Sequence, residues 1–509
     1  MEHAHADKRS HKGRSNTVYW RIDSASEYLI YAILIFTPWA FGTTETWAIQ
    51  TVNTLNYILA GFLVAKWITR LVTGFHPARW DGPGGIRGID SKVILIPLAT
   101  LTVVMLAYTA IAAINARAEF IPSEQRFEYF EYKKWLPTSY DRSATWDTFQ
   151  RYLAIACFFW ALRDWVATKT RREARPDTDL EGEAAIGPEV DETAGGYYSY
   201  DPTRFPIRLK RLLWVICANG ALLAVQGTLQ RLSGSDELLW SVRPMYNQYS
   251  YQQFGPFNYR SNGAQYLNMI WPIALAFWWA LNQQRRKKFG EGAEFLLMVF
   301  AGLMAAGPVI SSSRGGVAIE AAQMLGVLVI FAYSFRRGGW WKTALVAAIF
   351  AVIVGSAAAL SWQGLQFRLQ ENTLNTLSGR TEIYDNAKRI VEDYPVFGTG
   401  PGTFSAVYQL YRSDPEQQWY VHAHDDYLHT VVTFGRVGFT LIMFMLVSVF
   451  AYWFLARGIP TSELFIGFVW VAAAGCLLHA RFDFPLQIYS LQLLFMTLCA
   501  ILTALARRS

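Results

Sequence analysis

Long apolar runs, broken by short polar turns, fill most of this chain, and one large polar island, Gln363 to Tyr427, interrupts them late. Apolar runs of about 16 to 24 residues, the length that crosses a hydrocarbon layer as a helix, number about twelve. They centre near Ile35, Leu59, Val103, Phe158, Leu222, Ile273, Leu303, Leu325, Val352, Met445, Trp470 and Phe495. The pattern predicts an all-α polytopic membrane protein of about twelve spans with both termini on one side. Basic residues follow alternate spans: Lys66, Arg70 and Arg79, then Arg171 and Arg172, Arg285 to Lys288, Arg336 and Arg337, and Arg507 and Arg508. Basic loops stay in the cytoplasm, so both termini are expected there. The expected parts are a cytoplasmic tail (1–26), helices 1–4 (27–169), an acidic cytoplasmic linker (170–206), helices 5–9 (207–361), a large outer loop (362–428) and helices 10–12 (429–509).

Three long polar segments then face outward: Ala116 to Asp147, Ser233 to Asn262, and the island. Inside the island, Ile383, Ala387, Ile390, Val391 and Tyr394 recur at helical spacing between a Ser378/Thr381 start and Pro395. They predict an amphipathic helix lying on the membrane or roofing a cavity. GTGPGTF, Gly398 to Phe404, lacks the lysine of a phosphate-binding loop and fits a tight turn better. Phe127, Tyr129, Tyr132 and Trp135 suit either stacking on sugars or a place among lipid headgroups.

Composition narrows the classes. Hydrophobic residues make up 52% and charged ones 17%, too apolar a balance for a set of soluble domains. The net charge of +7 lies at helix ends, with no basic stripe interleaved with aromatics, so nucleic acid is not an expected partner. The basic N-terminus lacks a signal-peptide core and is expected to stay cytoplasmic. Cys157, Cys217, Cys476 and Cys499 all fall in apolar runs without zinc-site spacing.

Candidate chemistry gathers at the outer helix ends. In HAHDDYLHTVVTFGRVG, His422, His424, Asp425 and Asp426 run directly into an apolar helix. A helix beginning near Asp425 or Asp426 places His424 at a positive helix end that disfavours imidazolium, while the two carboxylates favour it; the result is a ring able to accept a proton. The plainer alternative is a surface histidine, preferred for His422 and His429. HxHDD also contains enough donors for a divalent cation, but no second cluster completes a shell. Arg314, in GPVISSSRGGVAIE, stands where a helix starting at Gly315 would repel a cation unless an anion sits beside it. A snorkelling arginine in a turn fits equally. Arg260 lies among Asn258, Ser261, Asn262 and Gln265, which suit a sugar or diphosphate surface or a helix cap. An Arg481 to Asp483 pair is expected to be structural.

These pieces together resemble the O-antigen ligase and polymerase superfamily over about 254–489. Its elements occur in family order: PFNYRSNGAQYL, SSSRGG, SGRTEIYDNAKRIVEDYPVFGTGPGTF, HAHDDYL followed by Gly435 and Gly438, and RFDFPLQ. From His424 and Asp425, nine residues lead to Gly435 and then Gly438, the ligase spacing, with Asp425 where an amide or hydroxyl residue is common. The resemblance implies a GT-C-like membrane enzyme with a large periplasmic loop. It would move a glycan from undecaprenyl diphosphate to an acceptor hydroxyl at the periplasmic face of the bacterial inner membrane, inverting the anomeric carbon without cofactor or metal. His424 would be the base, Arg314, Arg260 and Arg380 would hold the diphosphate, and His422, Asp425 and Asp426 would support them. The acceptor is lipid A-core in lipopolysaccharide ligation, a second glycan in repeat-unit polymerisation, or a protein hydroxyl. A different class, a twelve-helix transporter, would show internal repeats and a midplane polar site; neither is evident.

Overall fold

The computed structural model describes residues 16–82, 88–174, 205–285, 292–336, 340–360, 373–413 and 420–507. Residues 175–204 of the acidic linker, 363–372 of the island and 1–15 of the N-terminal tail lie outside the described residues, and the rest of that tail belongs to the first helix. The helices are α1 (Thr17–Trp39), α2 (Thr46–Thr73), α3 (Lys92–Ile114), α4 (Arg142–Ala167), α5 (Ile207–Ser233), α6 (Arg260–Asn268), α7 (Trp271–Arg285), α8 (Leu296–Ile310), α9 (Arg314–Ser334), α10 (Trp340–Leu360), α11 (Thr373–Asp393), α12 (Phe404–Val407), α13 (Asp426–Leu455), α14 (Glu463–His479) and α15 (Tyr489–Leu502). Each expected span centre falls in a helix of its own.

Helices α2, α3, α5, α9 and α13 are long and apolar enough to cross a membrane, and α8, α14 and α15 are shorter apolar helices. Val103, Phe444 and Val447 are exposed on α3 and α13, apolar surface suited to hydrocarbon. The protein is a polytopic membrane protein. The sixth expected span is two helices, because Pro272 in the first turn of α7 cannot donate to the Asn268 carbonyl and its ring crowds it. Gly316 lets α9 cross α6 closely; a Cβ there would stand 2.6 Å from that of Ala264.

Two short strand pairs depart from an all-α expectation. Strands β1 (Ala118–Ile121) and β2 (Arg126–Tyr129) form an antiparallel hairpin in the loop before α4, while β3 (Ile459–Thr461) and β4 (Leu505–Arg507) pair in parallel. The hairpin pairs Phe120 with Phe127, a cross-strand aromatic contact. Behind it a second small core forms. Ile383, Ala387 and Ile390 of α11 are buried there with Tyr140, Phe404, Val407, Tyr408 and Val432. The amphipathic helix starts at Thr373, earlier than the expected cap, and its apolar stripe covers protein rather than lipid.

Helix α13 is broken at Gly435, which adopts φ 61° and ψ −173°. The break turns backbone groups outward, and the Pro395–Gly400 strap receives them. Thr399 N–H and Gly400 N–H donate to the Val432 and Thr433 carbonyls at 2.9 and 3.0 Å. Arg436 and Val437 N–H donate to Pro395 and Val396 at 3.0 and 3.2 Å. The Tyr108 hydroxyl lies 2.8 Å from both the Phe397 and the Phe434 carbonyls. The glycine-rich segment is therefore turn chemistry, as its lack of a lysine implied: it repairs a kinked helix.

At the opposite end of α4 lies a buried ion network. Lys66 bridges Asp23 and Asp164 at 3.3 and 3.0 Å, Arg79 reaches Asp164 at 2.7 Å, and Asp81 takes Arg79 and Arg163. Arg208 of α5 closes it onto Asp23. Lys66 is 1% exposed, so only these partners make its charge tolerable.

Gly435→Ala is expected to destabilise the protein by ~1–3 kcal/mol, because a Cβ at this positive φ would collide with the Val396 carbonyl. Thermal or denaturant unfolding in detergent measures this; wild-type stability would contradict the account of the strap.

Candidate functional site

Helix α13 begins where the sequence places it. Asp425 is its N-cap, its carboxylate accepting from the Tyr427 and Leu428 N–H groups at 3.0 and 3.2 Å. The same carboxylate takes Arg481, so the expected Arg481–Asp483 pair is not formed. The helix cap is the nearer anion, leaving Asp483 for other partners. Burial raises the Asp425 pKa, and the two N–H groups and Arg481 oppose that rise. Asp426 faces the other way, accepting from Leu486 N–H and Gln487 Nε2, both at 2.9 Å. Its own N–H donates to Ala480 at 2.7 Å. The two acidic residues thus clamp the α14–α15 connection onto the start of α13.

That clamp delivers Asp483 to His424. His424 Nδ1 lies 3.3 Å from Asp483 Oδ1, and the ring meets Phe484 edge-on at 4.9 Å. The other carboxylate oxygen accepts from Ser261 Oγ at 2.6 Å and the Tyr259 hydroxyl at 3.3 Å. Burial alone pushes the Asp483 pKa up, but the hydrogen bonds from His424 and Ser261 and the neighbouring His424 and His479 rings outweigh it and hold the carboxyl well below its usual range. An ionised Asp483 can only accept, so His424 Nδ1 is its donor, and whenever the ring is neutral its lone pair is on Nε2. His424 itself has φ 53°, a left-handed conformation uncommon outside glycine, and its carbonyl accepts from the Tyr384 hydroxyl at 2.9 Å.

His422 stacks on Phe484 at 4.5 Å and neighbours His429 at 5.7 Å. Burial, followed by the His429 and His424 rings, drives its pKa well down, so it stays neutral. The HxHDD run does not converge as a ligand set: His422 stacks while both carboxylates take protein donors. Among the described residues no group of three or more His, Cys, Asp or Glu is gathered for a metal ion.

The arginine-bearing segments meet at the same carboxylate. Ser261, next to Arg260, also contacts His479 Nε2 at 3.2 Å, and Ser313, next to Arg314, donates to Ser261 at 3.3 Å. Ser313 is the N-cap of α9, which starts at Arg314 itself, one residue earlier than expected. Gly315 is required by proximity, since a Cβ would stand 2.9 Å from His479 Nε2. Arg260 is buried and donates to the Tyr251 carbonyl at 2.5 Å. Arg380 donates to the Phe482 carbonyl at 3.0 Å, beside Asp483. Burial, then Asp483, raises the Tyr259 pKa, and both Arg380 and Arg260 act against it, so the two guanidiniums share that phenol's surroundings. In the sequence Asp483 reads only as a structural partner of Arg481, and nothing there singles out Tyr259, Tyr384 or Phe484. The only signal was a carboxylate four residues after His479, in RFDFPLQ.

A cleft of about 760 Å³ opens beside Asp425, the residue after His424, between α11 and the start of α13. Its mouth carries Tyr384, Lys388, Glu392 and Arg481, and Leu428, Val431 and Phe439 make its apolar wall.

Residues 298–443 match the protein-family model described as O-antigen ligase. The matched stretch contains Arg314, Arg380, His422, His424, Asp425 and Asp426, but neither Arg260 nor Asp483. No curated protein matches the chain. Residues 298–443 are thus an O-antigen ligase domain, so the protein is an enzyme, and the chemistry that goes with such a domain is glycan transfer at a membrane.

Replacing Asp426 by Ala leaves the Leu486 N–H buried without its acceptor, and a loss of about 1–3 kcal/mol is expected. Hydrogen exchange at the Leu486 amide should accelerate relative to helix α15; unchanged protection would rule out the clamp.

Proposed function

We propose that this O-antigen ligase family enzyme transfers a glycan from undecaprenyl diphosphate to an acceptor hydroxyl at the periplasmic face of the inner membrane. The observation that carries the proposal is the meeting of His424 and Asp483 with the first turns of α6 and α9. His424 Nε2 takes the acceptor proton while the hydroxyl oxygen attacks the anomeric carbon. The bond from that carbon to the diphosphate breaks, and its electron pair leaves with the phosphate. A single displacement of this kind inverts the configuration. Asp483 fixes the tautomer and steadies the imidazolium that forms. Arg314, Arg260 and Arg380 bind the diphosphate and stabilise the negative charge that grows on it.

The cleft between α11 and α13 is assigned to the acceptor. It lies on the Tyr384 side of His424, away from the α6 and α9 turns, and its apolar wall continues along a membrane-spanning helix. That combination favours an acceptor held in the bilayer, a glycolipid such as lipid A-core, over a soluble protein. The topology that fits is twelve spans of GT-C-like arrangement with both termini cytoplasmic, and the product belongs to lipopolysaccharide assembly.

In vesicles carrying extracted lipid-linked glycan, His424→Ala is expected to lower transfer by about 10²- to 10⁴-fold while donor binding persists. Near wild-type transfer would reject the base assignment. Asp483→Asn should likewise lower kcat by about 10²- to 10⁴-fold with little change in KM for donor, because an amide no longer enforces the Nδ1–H tautomer. A change confined to KM would show that Asp483 acts on binding instead.

A further inference from the structure

The segment between α5 and α6 carries exposed aromatic rings that no step of the transfer uses. Tyr249 and Tyr251 are stacked, with ring centres 5.6 Å apart and planes 9° from parallel, and are 59% and 39% exposed. Tyr246 and Trp240 of the same segment are exposed as well, with polar Gln248 and Arg243 exposed among them.

The backbone beneath these rings is pinned. Arg231 donates to the Ser250 carbonyl at 2.7 Å and to the Ser311 carbonyl at 2.6 Å, joining the segment to the turn that leads into α9. Ser250 N–H donates to Asp236 Oδ1 at 2.6 Å, and Gln253 Nε2 holds the Asp236 and Asn247 carbonyls at 3.1 and 2.8 Å. Arg260 itself grips the Tyr251 carbonyl. The surface is therefore continuous with the proposed diphosphate site, because the same guanidinium-bearing residue anchors both. Fixed frame, presented rings and polar edges together make a preorganised surface for flat, hydroxyl-edged rings.

From this continuity we infer that Tyr249 and Tyr251, flanked by Tyr246 and Trp240, form a carbohydrate-stacking subsite for the glycan of the donor. The subsite holds sugars beyond the one being attacked, so it sets which donor glycan is accepted and how firmly. The inference rests on the proposed transfer reading and specifies where its substrate's sugar portion lies.

The test uses the full-length protein in lipid nanodiscs. Its probes are bare undecaprenyl diphosphate and undecaprenyl diphosphate bearing the host's own glycan. The Tyr249→Ala/Tyr251→Ala variant is expected to bind the glycan-bearing lipid at least tenfold more weakly and to raise its KM equally, with kcat within twofold. Its affinity for the bare lipid should be unchanged, and Tyr249→Phe/Tyr251→Phe should restore binding, since the ring faces act. Equal affinity of wild type and the alanine variant for the glycan-bearing lipid would overturn the subsite. So would equal weakening toward both lipids, which would mean that the segment acts only through Arg260. Binding is measured in the His424→Ala background too, so that a failure of the stacking subsite is separable from a failure of the transfer reading.

Discussion

A buried carboxylate that is still ionised needs donors from several directions, and Asp483 draws them from two distant stretches of chain, with a third reaching it through Ser261. His424 approaches from the start of α13, Ser261 and Tyr259 from the start of α6, and Ser313 reaches Ser261 from the start of α9. Without such partners burial would neutralise the group. The demand of one anion for solvation thus fixes the relative placement of three helix ends. The same demand chooses the tautomer of His424, because Nδ1 must donate to the carboxylate.

Two devices keep that arrangement in place. The first is the clamp of Asp425 and Asp426 on residues 480–487, which sets where Asp483 stands along the start of α13. The second is the kink of α13 at Gly435, whose exposed backbone groups are completed by the Pro395–Gly400 strap. The strap continues from α11, and α11 supplies the Tyr384 hydroxyl that holds the His424 carbonyl. Helix α11 with its strap and helix α13 are therefore coupled through backbone hydrogen bonds at the kink and through one phenol at His424.

Much of this was legible in the sequence, and the remainder was hidden for definable reasons. Apolar run length gave the twelve helix centres because the bilayer imposes it, and the DD pair before an apolar run gave the start of α13 because capping is local. The loop helix and its Pro395 stop followed from 3.6-residue periodicity. The partner of Asp483 did not, because Arg481 was close in sequence whereas His424 is close only in space. Likewise α6 and α7 read as one apolar run, since hydropathy does not register the missing donor at Pro272. The β1–β2 hairpin was overlooked because strands of four residues give too short an alternation to stand out from a polar loop.

The ion network joining α1, α2, α4 and α5 has a consequence for how the bundle assembles. Lys66 serves Asp23 and Asp164 together, and Asp23 in turn receives Arg208. Sliding any one of these helices by a single turn would strand a bare ion in hydrocarbon, a far larger penalty than misfitting apolar side chains incur. The four helices consequently have one admissible alignment. Charge matching at this end of the bundle acts as a vernier during lateral association in the bilayer, and the apolar contacts beyond it need only fill space.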